Sequence, residues 1–163
     1  IKTSENMLSS LILGSNVSGA KVLGHEFNGP ITTGKKPKSG LLKTASLYLN
    51  SPYLWGGKTP LGIDCSGLTQ MTYRINGYNI PRDASQQVKL GETLSFIDES
   101  EAGDLAFFDN EEGEIIHVGL LLENHFILHA HGQVRIDKID QTGIYNVDSM
   151  KHTHRLRLIK KII

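Results

Sequence analysis

A chain of 163 residues with 39% hydrophobic and 21% charged residues has the ordinary make-up of one globular unit able to bury a core, and a compact monomer is expected. Lysine plus arginine equals aspartate plus glutamate at 17 each, so no net field draws in nucleic acid or an anionic membrane surface. The single cysteine rules out an internal disulfide and any zinc site built on several cysteines.

The apolar stretch from Met7 to Val17 is interrupted by Ser9, Ser10, Gly14, Ser15 and Asn16, and it falls short of the roughly 20 residues that a membrane span needs. No membrane insertion is expected from it. Leu11, Ile12, Leu13, Val17, Val22 and Leu23, broken by small residues, read as strand-like but too short for a core of their own. Residues 26–40, EFNGPITTGKKPKSG, mix glycine, proline and lysine and read as a connection. The chain thus divides into an N-terminal segment and linker, 1–39, and a main domain, 40–163. The first part either packs onto the second or is the remnant of a truncated preceding domain.

Within the main domain, Leu41, Leu42, Ala45, Leu47, Tyr48 and Leu49 fit helical spacing until Ser51-Pro52 ends the run. The loop YLWGGKTPLGIDCSG follows, and then Leu68, Met71 and Tyr73 to Ile75 suit a helix beginning near Asp64. A short polar helix is expected over Ala84 to Leu90. Beyond it, β-type runs bounded by turn residues predict strands at 104–108, 115–122, 126–129, 133–136 and 156–159. Helices first and strands afterward give an α+β domain.

A thiol attacks only as thiolate, so a nucleophilic cysteine needs a helix N-terminus, a cation or an imidazole nearby. Cys65 has the first by position, while Asp64 before it opposes ionisation by like-charge repulsion and must serve another purpose, such as capping or holding a substrate amine. A lone cysteine is more often a small buried hydrophobe. Asp-Cys-Ser-Gly after a glycine-rich loop is instead polar and turn-prone, which favours catalysis.

Pro52-Tyr53-Leu54-Trp55-Gly56-Gly57 followed by Asp64-Cys65-Ser66-Gly67-Leu68 resembles the nucleophile signature of the NlpC/P60 peptidases. The pattern continues through Ile80-Pro81-Arg82, Ala102-Gly103-Asp104-Leu105 ahead of Phe107-Phe108, His117-Val118-Gly119 and Leu128-His129-Ala130, over about residues 40–160. The resemblance implies a papain-like fold with N-terminal helices packed on an antiparallel β-sheet, no metal and no organic cofactor. It also implies a triad in which Cys65 is the nucleophile, His117 the general base and His129 the residue that orients it. His117 opens one apolar strand and His129 closes the next, so a tight hairpin would set the two side chains on neighbouring positions. A rival reading takes His129 with His131 and His152 with His154 as metal ligands, because alternate strand residues share a face. No His-Glu-x-x-His motif or carboxylate cluster accompanies them, so they are read as surface or supporting residues, with His131 nearest the cleft.

On the substrate side, the resemblance places Tyr53 beside the nucleophile as an oxyanion or substrate contact, with half-buried packing as the alternative; Trp55 supports the loop or forms a cleft wall, and Ser66 is a further candidate contact. Arg82-Asp83-Ala84-Ser85-Gln86-Gln87 resembles the segment of a subgroup that cuts after L-Ala-γ-D-Glu bearing a free amine. Asp64 and Asp83 would then hold that ammonium, with Asp83 also able to cap the next helix. Ala84 stands where many of these relatives carry serine. The implied activity is hydrolysis of the γ-D-Glu to diaminopimelate amide in a peptidoglycan stem peptide or muropeptide. Its place would be the bacterial cell envelope, periplasmic or secreted, or cytoplasmic recycling. An acyl or amide transferase using the same thiol is the alternative, and a silent wall-binding module is disfavoured by the intact Cys65, His117 and His129.

Overall fold

In the computed structural model, which describes residues 1–3, 5 and 7–163, the helices come first and a closed sheet follows. Helix α1 (Ser39–Ser46) buries Leu41, Thr44 and Ala45. A two-residue hairpin, β1 (Lys58–Thr59) with β2 (Gly62–Ile63), shapes the loop ahead of α2 (Cys65–Ile75). Helix α2 starts where it does because Asp64 keeps an extended backbone and its carboxylate accepts the Gly67 N–H. Helix α3 (Ala84–Gln87) is a single turn, shorter than the sequence suggests, since residues 88–90 close as turns.

Strands β3 (Glu92–Leu94), β4 (Leu105–Asp109), β5 (Ile115–Leu121), β6 (Phe126–His131), β7 (Gln133–Ile139), β8 (Gly143–Asn146) and β9 (Lys151–Lys161) form one antiparallel sheet in the order β3-β9-β4-β5-β6-β7-β8. A further pairing of β8 with β9 closes the ring into a barrel. Strand β9 begins earlier than expected because its polar start, Lys-His-Thr-His-Arg, hides the strand from a hydrophobicity reading. The strand-like reading of residues 11–23 is overturned. That stretch is a series of turns, with Gly14 and, just beyond it, Gly24 in the left-handed region, and among the described residues the bridges near it are those of Lys2 with Leu8 and with Glu26.

Two cores result from strand alternation. Leu105, Phe107, Val118, Leu120, Leu128 and Ala130 face the helices, where they meet Leu41, Leu68, Met71 and Tyr73. Ala106, Phe108, Leu121, Ile127, Ile139 and Ile144 fill the barrel. The Ala102-Gly103-Asp104-Leu105 motif joins the layers: buried Asp104 accepts from Lys38 at 2.7 Å, and Gly103 O accepts from Tyr73 Oη at 2.8 Å. Residues of the N-terminal segment lie against the far part of α2, where Leu13 packs on the core and Lys36 N–H bonds Asn76 O.

The β5–β6 hairpin turns through Asn124 and His125, both left-handed, as mirror-image hairpin turns require. Its register sets His129 opposite Gly119, two residues beyond His117 on the same face. A Cβ at Gly119 would lie 2.6 Å from Ile127 Cδ1 and 3.0 Å from His129 Cβ. Gly119→Val should therefore cost about 1–3 kcal/mol through overpacking of the barrel. Thermal unfolding checks this, and a wild-type melting temperature would show that the hairpin opens freely.

Candidate active site

Cys65 is the first residue of α2 and is 6% exposed. The loop before it can lie so close because Gly57 and Gly67 bring two backbones together: a Cβ on Gly67 would meet Gly57 O at 2.4 Å. Burial pushes the Cys65 thiol up, and Asp64 adds to this, while the backbone N–H groups of Val118, Ser66 and Cys65 itself pull it down without winning. Val118 directly follows His117, so the sulfur meets β5 at the residue next to the imidazole.

The capping acid is heavily engaged. Asp64 accepts from Gly67 N–H and Gly56 N–H, each at 2.7 Å, and from both terminal nitrogens of Arg82. Arg82 also donates to Ser66 Oγ at 2.8 Å. Burial alone would push Asp64 up, but Arg82 and the two amides outweigh it and hold the carboxyl below its ordinary range. The negative charge beside the thiol is thus balanced by a guanidinium that the sequence reading did not single out. Gln87 holds this arrangement from behind, donating to Ser66 O at 3.0 Å and Pro81 O at 2.9 Å while accepting from Thr69.

The structure brings Trp55, Asp64, Cys65, Ser66 and Asp83 together on one cleft of about 610 Å³, with Arg82, Ala84 and Ile116. Trp55 is 83% exposed at its rim. Asp83 precedes α3 but makes no side-chain capping bond, so the expected capping role is not formed. Tyr53 is half-buried, and burial, then Cys65 and Asp64, push its phenol up, which keeps it an O–H donor near the sulfur.

His117 and His129 point into one end of the barrel, on the face that carries Leu121 and Ile127 further in. His117 Nε2 lies 2.9 Å from His129 Nδ1, and His129 Nε2 lies 3.1 Å from Asp137 Oδ2. Burial pushes His117 well down, and the neighbouring histidines 129, 154 and 131 push the same way. His129 is also lowered, by burial, with partial opposition from Asp137. Of the further members of this group, His154 was read from the sequence only as a surface or supporting residue, and Asp137 was not singled out. His154 stacks on His117 with ring centres 4.2 Å apart, and burial brings it down to about 4. It parts company with His152, which pairs with Asp140 at 2.9 Å, because a bulge between Ile144 and Tyr145 shifts the β9 register there. Asp137 is buried on β7, and the signal for it was Arg135-Ile136-Asp137-Lys138-Ile139, where two opposite charges share a face with an apolar residue.

Residues 50–153 match the NlpC/P60 family, and the chain belongs to it. Similar curated proteins include a gamma-D-glutamyl-L-lysine dipeptidyl-peptidase of Bacillus subtilis, 39% identical over 118 residues, which are 71% of this chain and 40% of that protein. Dipeptidyl-peptidase 6 of Lysinibacillus sphaericus is 38% identical over 115 residues, 68% of this chain and 40% of its own length. The chain therefore spans about two fifths of the length of these relatives. Among solved structures, an NlpC/P60 family protein of Bacillus cereus shares the fold at TM-score 0.67 and 24% identity, over 78% of this chain and 41% of that one. The NlpC/p60 domain of the peptidoglycan hydrolase SagA aligns at TM-score 0.61 and 25% identity, over 77% of this chain and 99% of the domain. Among the described residues no helix is long and apolar enough to cross a membrane.

The Arg82–Asp64 pair yields a stability test. Arg82→Met leaves a buried carboxylate uncompensated and should cost about 2–3 kcal/mol at pH 7, the low side for a buried pair because Arg82 is partly exposed. A depressed carboxyl stabilises the fold above its ordinary value and ceases to do so as pH falls through the lowered one. The gap between wild type and variant should thus close in acid below about pH 4. Paired melts at pH 7 and pH 3 read it, and a gap of equal size at both would refute the charge argument.

Proposed function

We propose that the chain is the catalytic domain of a papain-like cysteine peptidase that hydrolyses the amide after γ-D-glutamate in peptidoglycan stem peptides. The observation that carries this is a thiol at a helix start, ringed by three backbone amides, one of them that of Val118, the residue after a buried imidazole whose Nε2 is held by a second histidine. Relatives named as peptidases of this bond class support the reading.

In this mechanism Cys65 transfers its proton to His117 Nδ1, the nitrogen that His129 leaves unoccupied, and the thiolate attacks the scissile carbonyl carbon. The amide of Cys65, with Tyr53 Oη, stabilises the oxyanion. The imidazolium then donates its proton to the leaving amine, which departs as the C–N bond breaks and a thioester remains. Water, deprotonated by the same imidazole, adds to the thioester and releases a carboxylate and the thiol. At rest the thiol is raised and the imidazole lowered, so the pair sits neutral. Substrate must therefore make ion-pair formation worthwhile by displacing water and adding its own dipoles.

The diamino acid after glutamate is diaminopimelate in our reading, and the relative named for lysine makes the lysine peptide the natural comparison. The free amine of an N-terminal L-Ala would sit against Asp83, because Asp64 is already neutralised by Arg82. Such substrates are bacterial wall fragments, which puts the enzyme in the cell envelope or in recycling of released peptides.

Cys65→Ala should abolish release of the diamino product from L-Ala-γ-D-Glu-diaminopimelate while leaving the melting temperature nearly unchanged. His117→Ala should cost far more turnover than His129→Ala. Asp83→Asn should cost the free-amine peptide about 1–3 kcal/mol in kcat/KM and barely affect its N-acetyl form. Product analysis by mass spectrometry decides it, and an active Cys65→Ala enzyme would sink the mechanism.

A further inference from the structure

His129 holds His117, and something must hold His129. Its Nε2 faces Asp137, a fully buried carboxylate that also accepts from Arg135 Nε at 2.7 Å, Arg135 Nη2 at 2.9 Å, the Val147 N–H at 3.3 Å and Asn146 Nδ2 at 3.4 Å. Four donor contacts converge on these two oxygens beside His129 Nε2. Burial would push this carboxyl up, yet His129, Arg135 and Val147 hold it well below the usual carboxylate range. Arg135 is itself tied on its outer side to Asp148 at 2.7 Å.

We infer that Asp137, clamped by Arg135, is a positioning residue that dictates the tautomers of both histidines and so leaves His117 Nδ1 bare to take the thiol proton. An ionised carboxylate only accepts, so His129 must carry its proton on Nε2. A neutral imidazole protonated there has a lone pair on Nδ1. That lone pair must accept from His117 Nε2–H across the 2.9 Å contact. His117 is then left with a lone pair on Nδ1, the atom that the proposed function requires as base. The direction of every bond follows from one buried charge.

Arg135 has a distinct part in this. Left alone with His129, the Asp137 carboxylate would draw a second proton onto His129 Nδ1. His129 would then donate on both sides, and His117 would have to accept on Nε2 and protonate on Nδ1, the wrong form. The guanidinium opposes that second proton. The other groups facing the histidine pair are His154, stacked on His117, and His131, parallel to His129 at 6.3 Å, both imidazoles. Cys65 meets β5 at the Val118 N–H, with Asp64 and Arg82 beside it in the cleft.

The inference rests on the proposed role of His117, so the test separates the two. Long-range proton–nitrogen correlation spectra of histidine-labelled protein read the tautomers without any substrate. Iodoacetamide alkylation of Cys65 against pH reads the base without any peptide. In the wild type both histidines should show the proton on Nε2. Asp137→Asn brings a donor as well as an acceptor and should scramble or reverse the pair, with kcat/KM falling roughly a hundredfold to ten-thousandfold and KM moving little. Arg135→Gln, which keeps the carboxylate and tests the idea should Asp137→Asn fail to fold, should move the acidic limb of Cys65 alkylation to higher pH. A wild-type His117 protonated on Nδ1, or an Arg135→Gln profile that superimposes on the wild type, would overturn the inference. Failure to cleave muropeptides with these signatures intact would instead refute the proposed substrate and leave the relay standing.

Discussion

Without the pairing of β9 to β3, β4 and β8, the sheet would be an open ribbon and the histidines would sit on a wet face. Closure gives the barrel an inside of fixed width. Most of that inside is apolar, with Phe108, Leu121, Ile127, Ile139 and Ile144, and one end is given to imidazoles and a carboxylate. Burying those groups is costly unless each meets a partner, and they satisfy one another in a chain from His117 to Asp148. The polar end is tolerated because the apolar end and the β9 ladder fix its geometry.

The thiol belongs to the other layer, on the helix side of the sheet, and the site arises where the two layers touch. Two charge clusters flank that junction, each a carboxylate clamped by an arginine: Asp64 with Arg82 at the helix start, and Asp137 with Arg135 at the barrel end. Asp64, though paired, still opposes ionisation of the thiol. What remains to favour the thiolate is the set of backbone amides around the sulfur, which are rigid and need no reorganisation when charge appears.

Much of this was legible in the sequence where local chemistry decides structure. The Asp-Cys-Ser-Gly start of α2, the apolar runs of β4 to β6 and the pairing of His117 with His129 across a tight hairpin all follow from capping, alternation and spacing. What stayed hidden depended on long-range closure. Strand β8 is short and contains a glycine and an asparagine, and the start of β9 is polar, so neither announces the pairing that makes a barrel. His154 could not be placed from alternation, because the bulge opposite Ile144 and Tyr145 changes which side chain points inward. Asp64 illustrates a different gap, since its motif marks it as important while only the fold reveals that Arg82, 18 residues on, absorbs its charge.

The burial of Cys65, which pushes its thiol up, also bears on how the protein ages. Peroxide and disulfide exchange act on thiolates, and the step from sulfenic to higher acids is irreversible for most enzymes. A sulfur that is 6% exposed and kept as thiol until something fills the cleft offers oxidants little to attack. With no second cysteine in the chain to capture a sulfenic acid as a disulfide, such shelter is this domain's own defence against oxidative inactivation. The thiolate then forms only during turnover, when the substrate filling the cleft itself shuts the oxidant out.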